Sequence, residues 1–323
     1  MPGAMKEEQS VSLKPRIGWS KTEDVRRVAQ EAVRSMIESC EEEALRSFLA
    51  DARIVDLDDG YFWGLAVASA AGKTESHGCL RALMDAGVDV DAPIDEGYAA
   101  LSRSADTGNA AAIHALCELG ANVEARDERG RTPILLAAGC GHEEAIEALV
   151  KRGARLAVKD LCARSPVDLL LGVAEWQSRP SQRESAARSL VILLRAGARA
   201  TPIQNLSMMA QIALAGNAEM IIGAVETGAV GVDDASGSGL TALMCCARAE
   251  LFPSPRCVQV LLGLGARTDL VDARGFTALD YAIQSENKDI AQLIREAVAD
   301  REALELAQVA SKPRRPLSRK RAL

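Results

Sequence analysis

A 33-residue step runs through the glycines of this chain. Gly87, Gly120 and Gly153 stand 33 residues apart, and so do Gly97 and Gly130. A fixed period of this length demands a stack of like supersecondary units, because a unit so short cannot bury its apolar face alone. In the clearest copy, residues 127–159, other marks hold fixed offsets: Thr132-Pro133, Ala137-Ala138, Gly141-His142, Leu149 and Gly153-Ala154. Each has a local reason. Gly130 permits a tight hairpin turn. Pro133 is tolerated in the first turn of a helix, where its missing N–H would have no partner. Ile134, Ala137 and Ala138 give a short inner helix its apolar face, Gly141 ends that helix, and His142 opens the next. Ile146, Leu149 and Val150 form the buried stripe of an outer helix that Gly153 terminates from the C′ position.

This punctuation closely resembles the ankyrin repeat, D-x-x-G-x-T-P-L-H-x-A-A-x-x-G-H followed by L-L-x-x-G-A. The resemblance covers about residues 42–297. Units are expected at about 58–92, 94–126, 127–159, 160–200, 201–233, 236–271 and 272–297. The unit at 272–297 keeps Gly275 and Thr277-Ala278-Leu279, and the one at 236–271 keeps Gly239, Thr241-Ala242-Leu243 and Gly265-Ala266. The unit at 94–126 keeps Gly97, Leu101, Gly108-Asn109 and Gly120-Ala121; that at 58–92 keeps Leu65, Gly72 and Gly87, with a short insertion near 73–76. Gly153 to Gly197 spans 44 residues, an excess of 11 that falls around Glu175–Arg183 and reads as a loop between helices. The unit at 201–233 is the weakest match. The resemblance implies an all-α, ankyrin-repeat solenoid of helix-turn-helix units with short β-hairpin or loop tips, six to seven repeats long. Residues 1–20 are expected to be disordered, 21–57 to form a helical N-cap with a degenerate half repeat, and 298–323 to hold the end of a helix and a basic disordered tail.

Composition suits such a stack. The chain is 48% hydrophobic but only 3% aromatic, so alanine and leucine do the packing. There is no run of about 18 apolar residues of the kind a membrane helix needs, and the N-terminal residues carry no apolar signal core. A reducing compartment is therefore expected, and the cytoplasm with it. The eight cysteines show no CxxC pair and read as small buried hydrophobes. The net charge is −7, yet the final twelve residues carry Lys312, Arg314, Arg315, Arg319, Lys320 and Arg321 with no acid. An acidic body does not look like a nucleic-acid groove. The tail resembles a nuclear-localisation signal, which leaves nuclear import, or association with nucleic acid through the tail, as the alternative reading.

Nothing in the sequence calls for catalysis. His77, His114 and His142 lie in three different units, and the repeat pattern itself places a histidine at 142. No HExxH, GxxxxGK[ST] or strand-borne GxGxxG occurs. The nearest approach to a nucleophile elbow, Ala235 to Gly239, is not GxSxG and falls on a hairpin tip. Acid pairs such as Asp95-Glu96 and Asp233-Asp234 also sit on tips and read as solvated. No cofactor, metal or small-molecule substrate is expected, and no enzyme.

The resemblance offers instead a surface. Inner helices and hairpin tips of such stacks line a concave face that binds proteins. The positions expected there are Glu96, Tyr98, Arg103, Arg129, Arg131, Leu136, Arg164, Arg274, Phe276 and Tyr281, with Trp176 added from the insertion. Phe62, Val67, Asp106 and Leu240 occupy further variable positions. Exposed aromatics and arginines are the types enriched at binding hot spots. For Tyr281 the competing reading is packing of the C-terminal cap, and for Tyr61, Phe62 and Trp63 a capping plug. A non-catalytic, monomeric scaffold or adaptor is expected, with another protein as its partner.

Overall fold

The computed structural model describes residues 23–50, 60–73, 77–95, 98–176, 180–201, 206–248 and 254–311. Antiparallel helix pairs follow one another along the chain: α1 (Glu23–Glu38) and α2 (Glu42–Leu49), α3 (Gly60–Ala71) and α4 (His77–Asp85), α5 (Ala100–Asp106) and α6 (Ala110–Glu118), α7 (Pro133–Cys140) and α8 (Glu143–Lys151). The second half continues with α9 (Pro166–Trp176) and α10 (Pro180–Arg195), α11 (Met208–Leu214) and α12 (Ala218–Glu226), α13 (Ala242–Arg248) and α14 (Pro255–Gly263), α15 (Ala278–Gln284) and α16 (Lys288–Ser311). Odd-numbered helices stack on odd, as α5 on α7 and α13 on α15, and even on even, as α8 on α10 and α12 on α14. The result is a solenoid whose inner layer is short helices and whose outer layer is their partners, consistent with six to seven repeats. At the N-terminal end α1 packs on α3 and α2 on α4, so Val33, Ile37, Leu45 and Leu49 are buried there.

One apolar core runs the length of the stack. Leu116, Leu149, Leu194 and Leu261, each from an outer helix, are fully or almost fully buried in it. α7 is short because it is stopped sharply. Gly141 caps α7 at φ 73°, ψ 29°, a left-handed conformation that glycine adopts without a Cβ clash. Elsewhere glycine serves close approach: a Cβ on Gly64 would lie 2.6 Å from the Ala92 carbonyl oxygen, so α3 could not pack against β1 (Pro93–Asp95) with any larger residue there. β1 pairs antiparallel with β2 (Tyr98–Ala99) to make the one tip with ladder pairing among the described residues.

Polar ties join neighbouring units at period-related positions. The Asn122 N–H donates to both carboxylate oxygens of Asp91 at 3.1 Å, Arg155 N–H to Glu124 at 2.7 Å and Arg267 N–H to Asp233 at 2.9 Å. Asp234 accepts the Gly231 N–H at 2.7 Å. Asp233 and Asp234 are thus structural acceptors rather than idle solvated acids. His142 Nε2 lies 2.9 Å from the Asp106 carbonyl; that oxygen can only accept, so the nitrogen donates and ties one unit to the one before it.

Two expectations change. The excess residues of the 160–200 unit are not a long loop: α9 spans 11 residues and α10 spans 16, against 8 and 9 in α7 and α8. Most of the insertion lengthens helices, because Pro180 can open a helix and Ala186, Ala187, Leu190, Leu193 and Leu194 then bury one stripe. Nor are the cysteines uniformly buried: Cys79, Cys245, Cys246 and Cys257 are, whereas Cys140 and Cys162 are exposed.

Candidate functional site

The hairpin tips are built on buried aspartates. Asp127 accepts the N–H groups of Arg129 (3.0 Å) and Arg131 (2.7 Å) on Oδ1 and the Arg131 Nε (2.7 Å) on Oδ2. One period later Asp160 accepts Cys162 N–H (2.9 Å), Arg164 N–H (2.8 Å) and Arg164 Nε (2.8 Å) in the same arrangement. Burial by itself would raise the Asp160 pKa, but the Arg164 N–H and guanidinium outweigh it and hold the carboxyl below its ordinary value. In the 236–271 unit Ser236 takes the position, and its Oγ accepts the Leu240 N–H at 3.1 Å. In the 94–126 unit the position is the buried apolar Ile94, and there backbone pairing of β1 with β2 shapes the tip instead.

The residue four after this position falls in one register from unit to unit. Tyr98, Arg131, Arg164, Leu240 and Phe276 occupy that register in successive units, with Leu206 at the same place before the Ser207 cap. Arg131 lies over the Tyr98 ring, 5.9 Å from its centre, within cation–π range. Burial pushes the Tyr98 hydroxyl up to about 12, helped by Asp106. Asp106 also accepts the Cys140 thiol at 3.4 Å. Burial, then Asp106, push that thiol up to about 11. At the far end Arg274 stacks over both Phe276 (5.5 Å) and Tyr281 (5.7 Å).

The expected surface residues divide. Arg103, Arg129, Arg164, Arg274 and Phe276 are exposed, and Tyr98 and Arg131 are half-buried. Leu136 and Tyr281 are buried, which corrects the expectation for both. Leu136 lies in α7, which is packed between α5 and α9, and the Tyr281 hydroxyl is turned inward to Asp272 at 2.6 Å. Phe62, Val67 and Leu240 are buried as well, and Trp63 with them, while Tyr61 is exposed. Glu96 lies outside the described residues, as do Lys312, Arg314, Arg315, Arg319, Lys320 and Arg321. Trp176 is the last residue of α9; its side chain lies outside the described set. Sequence reasoning missed the aspartates that set the arginines. The 33-residue spacing of Asp127 and Asp160 was the signal for them.

Among the described residues no group of His, Cys, Asp and Glu could hold a metal ion, and no helix is long and apolar enough to cross a membrane. The arrangement is a row of side chains on a rigid frame. The fold and this row define a class: a stacked helix-pair solenoid with hairpin tips, of the kind that typically serves as a non-enzymatic interaction module. The sequence profile described as Ankyrin repeats (3 copies) matches residues 36–160 and 193–303. The chain belongs to the ankyrin repeat family. Among solved structures it is similar to the ankyrin repeat domain of Bcl-3, described as a member of the IkappaB protein family, with TM-score 0.55, 18% identity, and 72% of this chain and 97% of that one covered. It is also similar to the human ASB11 ankyrin repeat domain, with TM-score 0.50, 20% identity, and 73% and 96% covered. A third similar structure is titled as the Bd0816 predatory endopeptidase from Bdellovibrio bacteriovorus in complex with immunity protein Bd3460, with TM-score 0.46, 22% identity, and 61% and 96% covered. These likenesses concern the fold. No curated protein matches the sequence.

Proposed function

We propose that this protein is a non-catalytic scaffold or adaptor that binds a partner protein along its concave face, through the edge occupied by Tyr98, Arg131, Arg164 and Phe276, with Arg103, Arg129 and Arg274 beside it. The observation that carries this reading is the repeated seating of exposed or half-exposed arginines by buried aspartates. A guanidinium held by its aspartate, through Nε in Arg131 and through Nε and Nη2 in Arg164, loses less further freedom when a partner docks, and such pre-organisation favours binding. Aromatic rings stand at both ends of the row in a chain where they are scarce. Membership of a family whose domains generally mediate protein–protein interaction supports the same conclusion. The alternative, regulation through a basic nucleic-acid-binding tail, rests on Lys312 to Arg321 alone and gains no support from the comparisons.

The test is affinity purification with the parent chain and with Tyr98, Arg129, Arg131 and Phe276 changed together to alanine. Specific partners retained by the parent should be lost by the variant, while its helical circular dichroism is kept. The same partners recovered from both would place binding elsewhere.

A further inference from the structure

The tips of the 127–159 and 160–200 units are fastened to each other. The Leu161 N–H donates to the Arg129 carbonyl at 3.1 Å. Arg126, from the foot of the first tip, donates through Nη1 to the carbonyls of Gly130 and, at 3.0 Å, of Lys159 in the second. Leu161 leans on the neighbouring tip: its Cγ would meet a Cβ on Gly130 at 3.2 Å. The two tips therefore present one surface rather than two loops.

That surface is chemically unlike the others. Leu161 is 77% exposed, although it belongs to the residue type that such a chain buries. The equivalent tip positions carry Glu128, Gly237 and Ala273. Around it stand cations that the fold leaves without an acid. Arg126 spends its hydrogen bonds on carbonyls. Arg129 and Lys159 are exposed, and among the described residues no carboxylate pairs with the side chain of any of the three. Arg131 and Arg164 are neutralised by Asp127 and Asp160, and Glu128 is the one exposed acid on these tips. The chain as a whole is net −7. A basic island with an apolar knob thus stands on a net-acidic chain.

We infer that these paired tips are a docking surface for an acidic protein segment that carries a large apolar side chain, its carboxylates meeting Arg126, Arg129 and Lys159 and its apolar group lying against Leu161. Charge complementarity selects this occupant. A polyanion such as RNA would have to bring many phosphates against a chain of net charge −7, whereas a short acidic segment engages the island alone. This inference rests on the scaffold reading above and names the partner chemistry and the place.

The experiment is a peptide-display selection of random sixteen-residue peptides on the full chain, followed by fluorescence-anisotropy titration of the enriched peptides. The expected winners are rich in Asp and Glu around one large apolar residue. Their affinity should fall about tenfold or more in the Arg129→Glu/Lys159→Glu variant, since both side chains are exposed and pair with no carboxylate among the described residues. It should fall severalfold in Leu161→Ala, and again on raising salt from 0.05 to 0.5 M, because exposed charge pairs are screened. Winners that are not acidic, or that bind the charge-reversed variant equally well, overturn the inference. Peptides that lose binding only in the Tyr98→Ala/Phe276→Ala variant overturn it while leaving the scaffold reading standing; no enrichment at all counts against both. Tighter binding of a labelled poly(U) strand than of any acidic peptide, lost on the same charge reversal, would assign the island to RNA and overturn it too.

Discussion

Tyr281 donates its hydroxyl to Asp272 at 2.6 Å, in the place where Arg131 gives its Nε to Asp127 at 2.7 Å. In this last unit the residue four after the aspartate is Phe276, which has no side-chain donor. The tyrosine, from the register that carries Leu136 and Arg103 in earlier units, completes the aspartate's partners instead. The Tyr281 hydrogen bond is the main reason that the Asp272 carboxyl is held down at about 2. A carboxyl whose folded pKa lies below its unfolded value, roughly 3.9, stabilises the fold fully above that value. The contribution is lost as pH falls through the folded pKa. Tyr281→Phe should therefore lower the melting temperature by a few degrees at pH 7, and the gap to the parent should close as pH falls from about 4 towards about 2. Thermal melts across that window check it; a gap that widens on acidification contradicts the assignment.

Ala163 stands at φ 62°, one period after Gly130 at φ 71°. A left-handed conformation costs a non-glycine residue about 1–2 kcal/mol, and glycine returns part of that gain as unfolded-state entropy. Ala163→Gly should raise stability by about 1 kcal/mol or slightly less, read from the urea midpoint. Gly130→Ala should do more harm than the first change does good, because its Cβ would also press on Leu161 at 3.2 Å. Loss of stability in Ala163→Gly would show that Ala163 is not strained.

Ala163 also marks what can be read from the chain by itself. The period, the turn glycines and the order of helices were legible because each turn needs a residue of fixed conformational freedom, and glycine advertises it. Where alanine took the strained place, the signal vanished but the turn did not. The Glu175–Arg183 stretch looked like a loop because it holds few apolar residues. The first turn of a solvent-facing helix needs none, so α10 begins at Pro180 regardless. The candidate surface was legible only as a set of registers. Arg103, Leu136 and Tyr281 share one register, yet only Arg103 is exposed. Burial there depends on the neighbouring unit, which a single unit's pattern does not contain. Leu161 and its cations escaped for the converse reason: they matter through contact between two tips.

Cys140 is open to solvent, yet its thiol is pushed up to about 11, first by burial of the sulfur and then by the Asp106 carboxylate that accepts its S–H hydrogen bond. A raised thiol pKa keeps the unreactive protonated form to higher pH. The iodoacetamide alkylation rate at Cys140, followed by mass spectrometry of its peptide, should rise about tenfold per pH unit and reach no plateau below pH ~10. Asp106→Asn should speed labelling at pH 8. A plateau near pH 8.5 in the parent would place the sulfur away from Asp106.

Arg131 and Arg164 make matching bonds to matching aspartates, but Arg131 is 25% exposed and Arg164 is 52% exposed. Exposed ion pairs contribute about 0–1 kcal/mol, while removing one partner of a well-buried pair leaves a charge short of partners and costs about 3–5 kcal/mol. Arg131 lies between these limits and also gives up its contact with Tyr98, 5.9 Å from the ring centre, worth roughly 0.5–1 kcal/mol. Arg131→Ala should therefore lower stability by about 2 kcal/mol, and Arg164→Ala by less than about 1 kcal/mol, in matched urea titrations. If both arginines also meet the partner, binding should fall in both variants although stability falls mainly in the first. Arg164→Ala, binding poorly while unfolding at the parent's midpoint, is the outcome that separates a recognition role at this register from a structural one; unchanged binding in that variant would remove Arg164 from the docking face.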